Sequence, residues 1–303
     1  MTRKTIITIL KVVSGMLLVA GYLLTGTYGL SPINQRLYQE ALALQPVVDD
    51  LNFSEFRLSD YPVAIYDGKH DYVLDNGKDI AKRQPVLGAL AATTYEVNGH
   101  YEVFIPEFKT YQMMEYGTAD SESKKDVMES HFISMIWHEA FHAWQMTHYF
   151  PALKEWGTEE LDIQEIDGNP AVKELYTHQY KLLKQAVLEE DTDIIKQLVR
   201  KFLNIEAQRQ QLLPEEVIGF ENRTELLEGS AYYVESQVIL ATAGKERYHD
   251  YYISDMAEYR EGRIKYYVSG MAKLTLLDKL GVAWKNEFNM SRSITDLLAE
   301  SLE

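Results

Sequence analysis

The string His138-Glu139-Ala140-Phe141-His142 constrains the fold of this chain more than any other feature. Side chains four residues apart lie on one face of an α-helix, so two histidines at this spacing can bind one tetrahedral metal ion. Glu139 then lies beside the first ligand, where it can accept a proton from a metal-bound water. We therefore expect a helix that begins near Ser121 or Ser123 and ends near Phe150, before Pro151. Apolar residues at helical spacing predict that it is buried: Ile133, Ile136, Trp137 and Phe141.

A third metal ligand must come from another position, because two histidines do not complete a site. His148 follows His142 by six residues, which is the spacing of the metzincin string H-E-x-x-H-x-x-G-x-x-H. In that string a glycine lets the chain turn back toward the metal, whereas this chain has Gln145 at the same position. A continuing helix would direct His148 away from His142, so the sequence favours a different ligand.

A row of carboxylates further along the chain contains the better candidate. Their spacing places them on one face of a helix predicted over about 221–242: Glu221, Glu225, Glu228 and Glu235. In so acidic a chain, this row could also be a solvated surface. The small residues Gly229, Ser230 and Ala231, however, suit close packing against another helix. We expect Glu228 to be the third ligand and Glu225 or Glu221 to accept a hydrogen bond from a ligand histidine.

The composition excludes several classes of protein and of metal site. A formal charge of −16 opposes binding to the phosphate backbone of nucleic acids. The absence of cysteine excludes a disulfide framework, a thiolate zinc site and a cysteine nucleophile. Hydrophobic residues make up 46% of the chain, which is typical of a globular protein. A transition metal must therefore be held by histidine, aspartate or glutamate.

The N-terminus has the pattern of a membrane segment. Arg3 and Lys4 precede an apolar stretch, and residues 12–30 carry no charge. That length is close to the ~20 residues with which a helix crosses a bilayer. We predict that residues 1–30 form a cytoplasmic tip and an uncleaved transmembrane anchor, and that residues 31–303 lie outside the cytoplasm. Export followed by removal of a signal peptide is the alternative.

The remaining sequence predicts an α+β domain, with a small antiparallel sheet at about 63–106 followed by helices. Strands are expected at 63–66, 72–74 and 86–97, and Asn98-Gly99 predicts a hairpin to a strand at 101–105. Residues 34–44 predict an amphipathic or stalk helix that Pro46 ends. A helical hairpin inserted at about 170–213 is followed by helices at about 221–242, 255–280 and 293–302.

The strings of the site resemble those of the gluzincin metallopeptidases, notably the membrane alanyl-aminopeptidase family. Residues 138–144 are similar to its H-E-x-x-H-x-W, residues 228–235 to its E-G-x-A-x-Y-x-E, and residues 267–272 to its Y-x-x-G-x-A. The resemblance implies a zincin-like catalytic domain with one Zn²⁺ on His138, His142 and Glu228. It further implies Glu139 as the general base and Tyr267 as the donor to the tetrahedral intermediate.

The resemblance has two gaps. The G-x-M-x-N loop of the aminopeptidases is missing, so the resemblance does not extend to their specificity for free N-termini. Tyr266, adjacent to Tyr267, and the nearby tyrosines are alternative donors: Tyr248, Tyr251, Tyr252 and Tyr259.

These patterns predict a membrane-anchored zinc metallopeptidase, a hydrolase that cleaves peptide or protein substrates. An extended substrate could pair with an edge strand within residues 91–104. Two other functions remain open. One is a zinc-binding but catalytically inactive scaffold that presents its helical hairpin to a partner. The other is a metal-free structural membrane protein whose histidines only pack.

Overall fold

The computed structural model describes residues 30–76, 78–116, 125–155 and 166–302, which form a small sheet and many helices. The strands are β1 (Val63–Tyr66), β2 (Asp71–Leu74), β3 (Ala81–Arg83), β4 (Thr93–Val97) and β5 (His100–Pro106). The α-helices are α1 (Pro32–Ala43), α2 (Gln45–Asp49), α3 (Phe108–Tyr116), α4 (Lys125–Glu155), α5 (Pro170–Leu188), α6 (Thr192–Gln210), α7 (Glu215–Thr224), α8 (Ser230–Tyr248), α9 (Ile264–Lys279) and α10 (Ile294–Glu300). Two π-helical turns (Glu225–Gly229 and His249–Ile253) and three short 3₁₀ turns (Leu58–Asp60, Ser254–Ala257 and Trp284–Glu287) complete the list.

The sheet is mixed, so the prediction of an antiparallel sheet is wrong. Its strand order is β3-β2-β1-β5-β4, and β1 pairs with β5 in parallel, with Val63 opposite Val103. These two strands hold the most deeply buried residues of the sheet. Both therefore occupy its centre, although they are far apart in the sequence. The β4–β5 hairpin therefore lies on one side of β1, and β2 and β3 lie on the other.

The hairpin at Asn98-Gly99 is confirmed. Val97 pairs with His100, and both turn residues have positive φ, 53° at Asn98 and 86° at Gly99. A two-residue turn with this backbone matches the twist of the flanking strands. The strand predicted over 86–97 is shorter than expected, because only Thr93–Val97 pairs. The short, largely exposed β3 was not predicted.

Helix α4 is the central element of the core. Phe132, Ile136, Trp137 and Ala140 have no exposed surface, and the helix contacts α8, β5 and α1. Because neighbours cover it on several sides, it is apolar on more than one face. Its predicted cap at Ser121 or Ser123 lies outside the described residues. The helix also continues past Pro151 to Glu155, so the predicted end is wrong.

Helix α1 is part of the core rather than a stalk. Leu37, Tyr38 and Ala41 are buried, and the Trp137 indole nitrogen donates to the Ala41 carbonyl at 3.1 Å. Pro46 does not end helical structure; it lies in the first turn of α2, where a missing N–H costs little.

The predicted anchor at residues 1–30 lies, except for Leu30, outside the described residues. Among the residues that are described, no helix is both long and apolar enough to cross a membrane.

The two central helices, α5 and α6, pack against each other in the region predicted for a hairpin. Asn169 caps α5 by accepting from the Ala171 amide at 3.1 Å, and Asp191 caps α6 in the same way. The helix predicted over 255–280 is shorter, because α9 begins only at Ile264. Helix α8 is interrupted at Gly244, whose φ is 80°.

Candidate metal centre

The two histidines of the H-E-x-x-H string lie on one face of α4. His138 and His142 are 9% and 8% exposed, and their Nε2 atoms are 3.1 Å apart. Ligand atoms of a tetrahedral zinc ion, each ~2.0–2.1 Å from the metal, lie about 3.3 Å apart. The histidine pair therefore has nearly the spacing that a shared ion requires.

Glu228 adds a carboxylate from the π-helical turn. Its Oε2 lies 3.1 Å from Nε2 of His142 and 3.7 Å from Nε2 of His138. One ligand atom from each of the three residues lies within 4.8 Å of the others. The structure thus brings together the three residues predicted as ligands, and this group could hold a metal ion.

Gln145 fixes the proton on the ring of His142. The Gln145 amide nitrogen donates to the Ser230 hydroxyl at 2.8 Å and to the Leu227 carbonyl at 3.0 Å. Its oxygen must therefore face Nδ1 of His142, 2.7 Å away. Because an amide oxygen only accepts, Nδ1 carries a proton and Nε2 keeps its lone pair for the centre of the site.

Glu235 performs the same task for His138. Its Oε2 lies 2.8 Å from Nδ1 of His138, while its Oε1 accepts from the Tyr252 hydroxyl at 2.8 Å. A carboxylate that binds the outer nitrogen of a ligand histidine orients the ring and increases its basicity. Tyr252, Glu235 and His138 form a continuous chain of hydrogen bonds that leads into the site.

The positions of the two Nε2 atoms and the Glu228 carboxylate are those expected of ligands to a metal ion. With both Nδ1 atoms acting as donors and both rings neutral, two lone pairs and the Glu228 carboxylate face each other at about hydrogen-bond distance. Such an arrangement is repulsive unless a positive charge lies between the three groups. A divalent ion with nitrogen and oxygen ligands meets this requirement.

The pKa values of His138 and Glu228 also show that the site favours a positive charge between them. Burial alone would lower the pKa of His138, but its bonds to Glu228 and Glu235 outweigh burial and raise the pKa to about 10. Burial would raise the pKa of Glu228, but the two histidines hold it well below its usual range. The site therefore stabilises either a proton or a metal ion between these residues.

The π-helical turn separates the four carboxylates that the sequence places on one face. Glu228 and Glu235 face the histidines, whereas Glu221 accepts from Arg209 at 2.7 Å and Glu225 from Lys273 at 2.7 Å. The prediction that Glu225 or Glu221 supports a ligand histidine is therefore wrong. A π-turn contains one residue more than an α-turn, so the residues before it are rotated relative to those after it.

Close packing of α9 holds the π-turn in place. A Cβ added to Gly229 would lie 2.7 Å from the Gly270 Cα, and one added to Gly270 would lie 2.8 Å from the Glu225 carbonyl oxygen. Only glycines allow two backbones to approach so closely. The predicted close contact of this segment with another helix is confirmed.

This contact also brings Tyr267, one helical turn before Gly270, to the site. Its hydroxyl lies close enough to Glu228 for the two groups to interact, and its ring lies 6.5 Å from that of His138, with an angle of 22° between the ring planes. Burial, with the nearby Glu228 charge, raises the pKa of Tyr267, so its hydroxyl keeps its proton at neutral pH.

Tyr266, in contrast, points away from the metal residues and bonds to Glu221. Three other tyrosines that the sequence left open also lie elsewhere: Tyr248 packs beside Tyr252, Tyr251 against His131, and Tyr259 donates to Asp167.

Glu139 is 9% exposed and lies next to His138 on α4. Thr94 of β4 donates to its backbone carbonyl at 2.6 Å, and the same hydroxyl lies 3.3 Å from Oε2 of Glu139. This contact places β4 beside the candidate base. Among the described residues, β5 is the one strand that pairs with β4.

His148 is not part of the centre. Its Nδ1 bonds to the Trp144 carbonyl one turn earlier on α4, and its ring lies against Trp144 and Tyr149. It lines a cleft of about 860 Å³ together with Glu96, His100 and Thr147, and none of the three candidate metal ligands lines that cleft.

Sequence reasoning missed Gln145, Thr94 and the role of Glu235. Gln145 lies three residues after His142 on the same helix. This spacing predicts that the two side chains are neighbours, but not that they form a hydrogen bond. Glu235 is seven residues after Glu228, and its separation from Glu225 depends on a π-turn that no sequence pattern revealed. Thr94 lies 45 residues before Glu139, and only the tertiary fold brings them together.

No protein-family model matches the chain, and neither does any curated protein or solved structure.

Proposed function

We propose that this chain is a zinc-dependent metallopeptidase with His138, His142 and Glu228 as metal ligands. The observation that carries the proposal is the convergence of two Nε2 atoms on Glu228, each on a ring that Gln145 or Glu235 holds from its outer side. A set of two histidines and one carboxylate is a common catalytic zinc site and leaves one position open. A zinc ion supplies Lewis acidity, which lowers the pKa of a water molecule and polarises a peptide carbonyl.

Glu139 is the proposed proton carrier. Its carboxylate accepts a proton from the attacking water and delivers it to the leaving amine. Thr94 holds the backbone at Glu139 against β4, so the carboxylate stays beside the ligand histidine. Tyr267 is the proposed donor to the oxygen of the tetrahedral intermediate. Its protonated hydroxyl faces the metal ligands from α9, and donors of this type contribute about 100- to 1000-fold in rate.

The open edge of β4 is the proposed substrate surface. An extended peptide can pair with unpaired backbone groups of an edge strand. Contact of Thr94 with Glu139 supports this placement, since a peptide along β4 would pass the candidate base. We retain the sequence-based expectation that residues 1–30 anchor the chain, with the catalytic domain outside the cytoplasm.

Zinc content tests the ligand set. The purified chain should contain about one zinc ion, and Glu228→Gln should lose it on dialysis against a weak chelator. His148→Ala is the control, because His148 lies on α4 with the two proposed ligand histidines but outside the centre. If His148→Ala lost zinc and Glu228→Gln retained it, the ligand assignment would be wrong.

Activity tests the role of Glu139. Glu139→Gln should keep its zinc but cleave an unbiased peptide mixture about 100- to 10,000-fold more slowly, the usual contribution of a general base. Glu129→Gln is the control, because Glu129 lies on α4 and binds Arg36 at the surface. If zinc were bound and the wild type cleaved no peptide, the chain would be an inactive zinc-binding scaffold.

A further inference from the structure

An uncharged segment between β3 and β4 displays apolar side chains to solvent. Residues 84–92 contain no charged residue. Five of the nine large hydrophobic residues that are strongly exposed in the described chain lie in or beside this segment, with 37–51% of their surface exposed: Ile80, Val86, Leu87, Leu90 and Tyr95. Exposed apolar residues scattered singly along a chain need no explanation, but their concentration in one short stretch marks a candidate interaction surface.

The segment is fixed to the sheet rather than loosely attached. The amide of Val86 donates to the buried Asp71 carboxylate at 2.9 Å. Ala89 is buried between the β-strand residues Ala64 and Phe104. Gly88 has φ of 61°, a conformation that lets the chain turn around the buried alanine. The leucines on either side are thus held pointing outward.

This segment lies at the same end of the sheet as the start of the described chain. The side chain of Asn34, in the first turn of α1, accepts from the Phe108 amide at 2.8 Å, and the adjacent Glu107 amide donates to the Tyr66 carbonyl at 2.9 Å. A Cβ at Gly88 would lie 3.7 Å from the ring of Tyr66. The predicted anchor ends at residue 30, four residues before Asn34. Contacts through residues 107–108 and Tyr66 connect Asn34 to Gly88 in the apolar segment.

The charge of this region differs from that of the whole protein. Residues 69–96 carry four basic and four acidic side chains, although the chain has a net charge of −16. One of the acidic residues, Asp71, is fully buried. A surface with little net negative charge can approach anionic lipid headgroups that would repel the rest of the molecule.

We propose that residues 84–92, together with Ile80 and Tyr95, contact the surface of a lipid bilayer; this rests on the proposed membrane anchor at residues 1–30. Leucine and valine side chains enter the boundary between headgroups and acyl chains, and the half-exposed Tyr95 lies at the headgroup level, where tyrosine is favoured. The segment leads directly into β4, so this contact places the β4 edge close to the membrane. The proposal does not depend on peptidase activity.

Site-specific fluorescence tests this contact on the full-length chain. The protein has no cysteine, so a single introduced cysteine carries the only thiol-reactive label. We would label Leu87→Cys and Leu90→Cys with a polarity-sensitive dye. The chain would then be reconstituted into vesicles of phosphatidylcholine and phosphatidylglycerol, with or without brominated acyl chains. Leu188→Cys and Leu212→Cys are matched controls, because both leucines are similarly exposed, at 48% and 47%, but lie outside the segment.

The expected result is co-flotation of the chain with vesicles, blue-shifted emission at positions 87 and 90, and quenching there by brominated lipid but not at the controls. Equal quenching at all four positions would overturn the proposal, as would failure to co-float. A blue shift without quenching by brominated lipid would assign the segment to a protein partner or to a second copy of the chain, and would also overturn it. The triple variant Ile80→Asp/Leu87→Asp/Leu90→Cys should lose the quenching at position 90.

Discussion

Replacing Gly270 by alanine perturbs the contact between α9 and the π-helical turn without touching any proposed ligand. The new Cβ would lie 2.8 Å from both the Glu225 carbonyl oxygen and the Gly229 Cα. Comfortable carbon contacts lie at ~3.5–4.0 Å, so the two backbones must separate by about 0.7 Å or more. Both neighbours are backbone atoms, which cannot rotate away as a side chain can.

This separation has a cost in stability and a larger one in metal affinity. Overpacking of a buried contact destabilises a fold by about 1–3 kcal/mol, of which up to ~1 kcal/mol is offset because alanine favours a helix more than glycine does. A metal site tolerates shifts of only about 0.2 Å. Since Glu228 and Tyr267 lie on the two separated segments, we expect zinc affinity to fall about 10- to 100-fold, a range typical of damage around the ligands.

Two measurements check the prediction for Gly270→Ala, namely urea unfolding of the metal-free chain and competition with a chromogenic zinc chelator. Gly219→Ala is the matched control, because its Cβ would meet only the end of the Arg223 side chain, at 3.1 Å. The control should match or exceed the stability of the wild type. Wild-type stability and zinc affinity in Gly270→Ala would refute the argument that backbone contact positions the site.

Three further predictions concern single side chains. Gln145→Ala leaves Nδ1 of His142 without its acceptor, so zinc affinity should fall about 10- to 100-fold in the same chelator assay. Tyr252→Phe removes a donor to Glu235 and should weaken zinc binding by no more than about tenfold. Burial opposes ionisation of Glu206, but nearby cations lower its pKa from 4.5 to about 2. Ionised Glu206 therefore contributes about 3 kcal/mol to the free energy of unfolding, which is complete above pH 4.5 and is lost as the pH falls toward 2. In Glu206→Gln, the free energy measured by urea unfolding should fall less steeply between pH 4.5 and pH 2 than in the wild type.

Each of these predictions has a result that contradicts it. Gln145→Ala with wild-type zinc affinity would show that the tautomer of His142 is set elsewhere. Gln237→Ala, on α8, controls for the loss of a glutamine amide that does not bond to a ligand histidine. Tyr252→Phe with a greater loss than Gln145→Ala would reverse the order of importance of the two histidine partners. For Glu206→Gln, a stability difference from the wild type that is as large at pH 2 as at pH 6 would exclude titration of Glu206 as its source.

The sequence predicts those parts of the centre that depend on local spacing. The i, i+4 rule places His138 and His142 together on any helix, and Asn98-Gly99 specifies its turn through the conformations of two residues. The sequence does not reveal features that arise from tertiary contact. The parallel pairing of β1 with β5 depends on which strands bury the most apolar surface.

Glu225 illustrates the same limit within a helix. Helical periodicity places it on the face of Glu228, and only the approach of Gly270 to Gly229 shows that the turn between them is wide. The end predicted at Pro151 is wrong for a related reason. The loss of one backbone donor is not enough to end a helix that continues on both sides of it.

The wide turn at Glu225–Gly229 makes the length of this helix, and not only its residues, essential to the protein. Deletion of one residue there would restore an ordinary helix and rotate everything before it by about 100° relative to everything after it. Glu221 and Glu225 would then leave their buried cations, even though no charged residue had changed. Single-residue insertions and deletions in this turn should therefore abolish folding or metal binding.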